Sequence, residues 1–200
     1  MSAMRLFAAI RPPEEVLDEI AEWWVAASVH LDALGWRELP RENWHLTLAF
    51  YGEVPGRALG ALAEALEHVA GQAPLLELMT DGIGVFPTPS KPRVFWLGVE
   101  ATRPEALRRL ARGCMRALEQ TGKVAGKRRE KKQPFVGHMT LARIRAELSV
   151  PVSEALLREI PRPPAIAWTA DEVVLYRSHL RPEGARYQVI ETFPMGVEVV

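Results

Sequence analysis

The chain has 200 residues, 48% hydrophobic and 25% charged, the make-up of a globular protein with one large domain or two closely packed lobes. Its 25 basic and 25 acidic residues cancel, which excludes a whole-molecule field aimed at nucleic acid or membrane and leaves any such preference to local clusters. One cysteine, Cys114, allows neither a disulfide framework nor a cysteine metal site, and the apolar part of the N-terminus is too short for a signal peptide, so a cytoplasmic location is expected.

Leu6–Ile10 reads as a buried strand stopped by Arg11-Pro12-Pro13. A helix is expected from Glu14 to about Leu31, with Val16, Leu17, Ile20, Ala21, Trp24 and Val25 facing inward and acidic residues in its first turn. Gly35 and Pro40 mark a connection, and Trp44–Tyr51 is a strand closed by Gly52. Residues 57–70 form an amphipathic helix, Leu75–Met79 and Ile83–Phe86 are strands around Asp81-Gly82, and 87–92 is a proline-rich loop. His30 and His68 read as solvated residues of their helices.

The order then repeats. Val94–Val99 is a strand, 104 to 120 an amphipathic helix with Cys114 inward, 122–133 a basic loop and Phe135–Ile144 a strand. A short helix over 152–160 follows, then strands at 166–168 and 173–176 around Asp171, and a last strand at 186–193. Offsets near 90 residues throughout mark an internal duplication, with pseudo-repeats of about 4–90 and 93–180 inside one domain spanning 1–200.

Each repeat carries the same word: His45-Leu46-Thr47-Leu48-Ala49 and His138-Met139-Thr140-Leu141-Ala142. On a strand, alternate side chains share a face, so His45 lies beside Thr47 and His138 beside Thr140, with the leucines and methionine behind. Two imidazoles titrating near neutrality suit a phosphodiester reaction in which one takes a proton from the attacking oxygen and the other gives one to the leaving oxygen. The threonine hydroxyls would hydrogen-bond the phosphate oxygens. A zinc site would need a third ligand, and neither a His-Glu-x-x-His helix nor a Gly-x-Ser-x-Gly elbow occurs, so neither a metal nor a cofactor is expected. Arg143 stands at odd spacing from His138 and reaches the same face only if the strand twists, bulges or ends there; otherwise it forms an ion pair at the strand end. Lys127, Arg128, Arg129, Lys131 and Lys132 form either a solvated loop or a salt-sensitive contact for RNA phosphates. Phe7, Trp96 and Phe135 could stack a base, though packing in the core explains each as well.

The paired motifs, with Arg5-Leu6-Phe7-Ala8-Ala9-Ile10, Ala49-Phe50-Tyr51-Gly52-Glu53 and Pro92–Val99, resemble the LigT-like RNA 2′,3′-cyclic phosphodiesterases of the two-histidine phosphoesterase superfamily across nearly the whole chain. The resemblance implies a bilobal α+β fold, with two antiparallel sheets lining a central cleft and helices outside. It implies metal-independent opening of RNA or nucleoside 2′,3′-cyclic phosphates to the 2′-phosphate, with reverse 2′,5′ ligation, for instance of tRNA fragments, in some members. By the same resemblance His45 is the acid and His138 the base, Thr47 and Thr140 hold the phosphate, and Arg143 matches the arginine that follows the second motif. Gly137 departs from the family's usual proline and is expected to loosen the backbone before His138, whereas Tyr51 in place of leucine looks neutral. The expected partners are RNA ends or nucleotides bearing the cyclic phosphate, with no membrane and no obligate protein partner. The alternatives are a non-catalytic RNA or nucleotide sensor and a phosphodiesterase of 2′,5′-linked oligonucleotides.

Overall fold

A computed structural model describes residues 2–32, 34–120, 135–144, 150–181 and 184–196. Its elements run β1 (Met4–Ile10), α1 (Glu14–Asp32), β2 (Arg37–Glu38), β3 (Leu46–Val54), α2 (Leu59–Gly71), β4 (Leu76–Phe86) and β5 (Val94–Ala101). They continue with α3 (Pro104–Gln120), β6 (His138–Arg143), α4 (Glu154–Glu159), β7 (Ala167–Ala170), β8 (Glu172–Arg181) and β9 (Gly184–Pro194).

Three local expectations change. In α1 the buried stripe is Val16, Leu17, Ile20, Trp23, Trp24, Ala27 and Leu31, while Val25 is 72% exposed. Trp23 turns in because its indole N–H donates to the Pro161 carbonyl at 2.9 Å, which moves the stripe off Val25. The two strands around Asp81-Gly82 are one strand, β4, because that dipeptide is absorbed as a bulge against β5. Gly82 takes a left-handed φ of 68° there, and Gly98 opposite leaves room for the Asp81 carbonyl. Finally, the polar stretch before Pro40 contains the short β2, which pairs with β6.

All pairings are antiparallel, and the strands form one curled sheet in the order β7-β4-β5-β6-β3-β1-β8-β9, with β2 alongside β6. The two expected sheets are thus the two halves of one sheet, β7-β4-β5-β6 and β3-β1-β8-β9. A single residue pair, Leu46 with Met139, joins them. Chain order and position cross over: β4 precedes β5 in sequence yet lies beside it in the half that carries β6, and β8 lies beside β1.

The main core occupies one face of the sheet, where Leu6, Ala8, Ile10, Leu46, Leu48, Leu97, Met139 and Leu141 pack with the buried stripes of the helices. Trp24 of α1 meets Phe95 of β5 with ring centroids 5.6 Å apart, and Tyr51 of β3 donates to the Cys114 carbonyl of α3 at 2.9 Å. Burying a side chain of leucine size contributes about 1.5–3 kcal/mol relative to exposure. The leucines of β3 and β6 therefore anchor the strands from behind and turn His45, Thr47, His138 and Thr140 to the other face.

Gly137 does not loosen the chain. Its carbonyl accepts the Val99 N–H at 2.9 Å, and a Cβ there would lie 2.2 Å from the Val99 oxygen. The absent side chain lets β5 close on the residue before His138. Gly137→Ala should therefore cost about 1–3 kcal/mol of stability through overpacking, read from urea unfolding, and an unchanged midpoint would show that the backbone relaxes freely at this point.

Candidate active site

Antiparallel order about the Leu46–Met139 pair puts His45 level with Thr140 and Thr47 level with His138. The four side chains stand at the corners of a small rectangle with the histidines on one diagonal. The register sets all four on the same face of the sheet around that one paired position, where they can address one phosphate-sized group.

The repeated Thr-Leu-Ala has a structural reading in both strands. Ala9 pairs with Thr47 and Ala8 with Ala49, so Leu48 is an extra residue in β3; Trp96 pairs with Thr140 and Phe95 with Ala142, so Leu141 is an extra residue in β6. Each bulge puts two successive residues, Leu48-Ala49 and Leu141-Ala142, into the core and reverses the alternation beyond it. Arg143 is thereby returned to the face of His138 and Thr140. Its guanidinium depresses the pKa of both histidines, and among the described residues no carboxylate forms an ion pair with it. In the first motif the same position is Phe50.

The histidines are held alike. His45 Nδ1 lies 2.7 Å from the Asn43 carbonyl and His138 Nδ1 lies 2.8 Å from the Val136 carbonyl. A carbonyl only accepts, so each Nδ1 carries hydrogen and each Nε2 is left for a ligand. Asn43 is buried, and its side-chain amide donates to the Ala185 carbonyl of β9 at 2.8 Å, which ties the support of His45 to the far strand of its half.

Their surroundings differ. The His45 ring stacks on Phe7 at 4.8 Å and meets Tyr187 edge-on at 5.2 Å. Burial pushes its pKa from 6.5 down to about 4, Arg143 and His138 push the same way, and the Asn43 hydrogen bond opposes them. His138 lies edge-on to Phe86 at 5.0 Å and near Trp96 at 6.1 Å, and burial followed by Arg143 also lowers its pKa. Both imidazoles are therefore neutral near pH 7 in the free protein.

His45, Thr47, His138, Thr140 and Arg143 are brought together, while Lys127, Arg128, Arg129, Lys131 and Lys132 lie outside the described residues. Of the aromatic candidates, Phe7 and Trp96 border the histidines, whereas Phe135 packs against the main core. Phe86, Tyr176 and Tyr187 were not legible from sequence, because an aromatic on a strand reveals its face only once the pairing and bulges are known, and Asn43 was not because its support of His45 comes from its backbone carbonyl and a side-chain bond to β9. His30 is half-buried and His68 exposed, both away from the site. Among the described residues no group of three or more His, Cys, Asp or Glu is placed to hold a metal ion, and no helix is long and apolar enough to cross a membrane.

Known proteins resemble this chain in sequence and fold. The RNA 2′,3′-cyclic phosphodiesterase of Geobacillus stearothermophilus is 30% identical over 195 residues, covering 98% of this chain, and the chain spans 58% of that relative's length. The protein of the same name from Thermus thermophilus is 34% identical over 200 residues, covering 96% of this chain and 90% of the relative. Escherichia coli LigT in its apo form superposes with a TM-score of 0.74 at 28% identity, covering 98% of this chain and 99% of that one. Its complex with 3′-AMP gives a TM-score of 0.70 at 27% identity, covering 96% and 98%. The family model described as the 2′-5′ RNA ligase superfamily matches residues 12–182. With its two His-x-Thr strands meeting within that match, the chain belongs to the 2′-5′ RNA ligase superfamily.

Proposed function

We propose that the chain is an RNA 2′,3′-cyclic phosphodiesterase that opens the cyclic phosphate to a 2′-phosphate with His45 and His138 as its proton carriers. The observation that carries this reading is the diagonal placement of the two His-x-Thr pairs about Leu46–Met139. The names of the relatives support the substrate, and the 3′-AMP complex of E. coli LigT supports a nucleotide in the site. RNA ends are the partner this reading implies, and the cytoplasm the compartment.

A cyclic phosphate seated between Thr47 and Thr140 has one histidine on each side, as an in-line displacement requires. His138 Nε2 takes a proton from water as its oxygen attacks phosphorus, and the P–O3′ bond breaks as His45 Nε2 gives its proton to the leaving oxygen. The product carries a 2′-phosphate and a 3′-hydroxyl. The threonine hydroxyls and Arg143 stabilise the charge that grows on the non-bridging oxygens. Because both imidazoles are neutral without substrate, the acid takes up its proton as the phosphate anion binds. In 2′,5′ ligation a 5′-hydroxyl takes the place of water: His138 accepts its proton as its oxygen attacks phosphorus and His45 protonates the departing O3′, so the roles are unchanged.

The deeper burial of His45 favours a second assignment, in which His45 is the base and His138 the acid. A substrate whose 3′ bridging atom is sulfur separates the two, since a thiolate leaves without a proton. Loss of activity on the ordinary substrate is expected in both His45→Ala and His138→Ala, by a factor of about 10²–10⁴ each in EDTA. Recovery on the sulfur substrate is expected in His45→Ala, and recovery in His138→Ala instead would exchange the roles. A 3′-phosphate product from the wild type would overturn the assignment of O3′ as the leaving oxygen, and binding of 2′-phosphorylated nucleotide without turnover would sink the catalytic reading in favour of a sensor.

Dependence on pH gives a separate test. The profile of kcat/KM reports the free enzyme, whose histidines both titrate below 6.5, so activity should fall on the alkaline side with an apparent pKa below 6.5. Arg143→Met removes a charge that lowers both values, and should move that limb upward while reducing kcat/KM by about 10²–10³. An alkaline limb that stays in place would show that Arg143 does not act on the histidines.

A further inference from the structure

Apart from Leu46 for Met139, the two motifs match position by position until Arg143 in β6 is answered by Phe50 in β3. The cation missing from the first motif comes from another strand. Arg5 of β1 is half-buried and places its guanidinium carbon 4.6 Å from the centre of the Phe50 ring. Arg5 and Arg143 both act on the Tyr187 phenol, holding its pKa down against the burial that raises it, so that hydroxyl lies within the fields of both cations. Among the described residues Arg5 has no ion pair, although Glu53 is its partner in the strand register.

The register gives the spacing. Thr47 is level with Ala9 and Phe50 with Phe7, two residues along β1, or about 7 Å at strand rise. A guanidinium over Phe50 therefore stands roughly one nucleotide step from the threonine that holds the reacting phosphate. At the end of β1 a cavity of about 350 Å³ takes in Arg5 and Glu53 together with Arg177, His179 and Arg181 of β8. Arg177 pairs with Leu6 and so belongs to the core face of the sheet, whereas Arg5 stands over Phe50 on the face of the histidines. A 2′,3′-cyclic phosphate closes the 3′ end of an RNA, so the remaining chain can leave the site in only one direction, toward its 5′ side.

We propose that Arg5, steadied over Phe50, binds the phosphodiester immediately 5′ of the cyclic phosphate and so makes the site prefer RNA ends over mononucleotides. The stacked guanidinium keeps its planar donors directed at phosphate oxygens, and the contact adds affinity without reading a base. This rests on the cyclic phosphodiesterase reading for its substrate.

The test compares a nucleoside 2′,3′-cyclic phosphate, which lacks the second phosphate, with a dinucleotide ending in the same group. Arg5→Met should lower kcat/KM about tenfold for the dinucleotide, change it less than twofold for the mononucleoside, and reduce the salt dependence of the dinucleotide alone. Arg5→Lys should restore part of the preference by returning the charge without the planar stack. Calorimetric binding of the 2′-phosphorylated mononucleotide and dinucleotide makes the same comparison without turnover, so a protein that binds both but hydrolyses neither overturns the catalytic reading and leaves the Arg5 test standing. Equal losses for the short and long ligands would place Arg5 on the terminal nucleotide or in the fold, and no loss for either would remove it from binding; both results overturn the proposal.

Discussion

The site depends on one backbone contact. Every other neighbouring pair along the sheet is held by several residue pairs, but β3 and β6 meet only at Leu46 and Met139. If the two strands paired along their length, the sheet would flatten there and side chains would fill the space between the motifs. If they did not meet, nothing would set the two histidines in register. A single pair fixes the relative height of His45 and His138 and lets the strands diverge on either side. Its side chains are fully buried, so apolar packing behind the sheet holds the polar geometry in front of it.

The crossing of chain order with position adds a second constraint. The half that carries His45 is completed by β8 and β9 from the end of the chain, and the half that carries His138 takes β4 from before it. Asn43 makes the dependence local, since the carbonyl that orients His45 belongs to a residue whose side chain is tied to β9. Neither run of elements would build its own half unaided, which suits a reaction needing both histidines at once. The offset of about 90 residues seen in the sequence does not divide the sheet into two separate runs of chain, because β4 lies beside β5 in one half and β8 beside β1 in the other.

Much of this was legible in the residues, and the remainder was hidden for a definite reason. Helix and strand periods located the elements, and the doubled His-x-Thr located the four side chains that the fold brings to one face. Strict alternation failed two residues beyond each threonine, where Leu-Ala is a bulge and not a continuing strand. The word shared by the motifs is therefore longer than its polar part: Leu48-Ala49 and Leu141-Ala142 are small enough in sum to turn inward together and bring Arg143 and Phe50 back to the working face. Tyr187 and Arg5 stayed hidden because they reach the first motif on strands that are neighbours in space and distant in sequence, and Asn43 because its side chain is tied to β9. Val25 and Trp23 show the same limit in a helix, where one indole hydrogen bond to Pro161 decided which side faced in.

The electrostatics tie the geometry to the chemistry. Stacking His45 on Phe7 and surrounding both histidines with aromatic rings costs the protonated forms their water, and Arg143 opposes them further. An acid catalyst would ordinarily be poorly served by such an environment. The same features become favourable once an anion lies between the rings, because the phosphate offsets the charge of Arg143 and supplies an acceptor for a protonated Nε2. Protonation and substrate binding are then linked, each raising the affinity for the other. Without an anion the site holds two neutral imidazoles and one arginine; on the proposed reading, the proton for the leaving oxygen is taken up as the phosphate binds.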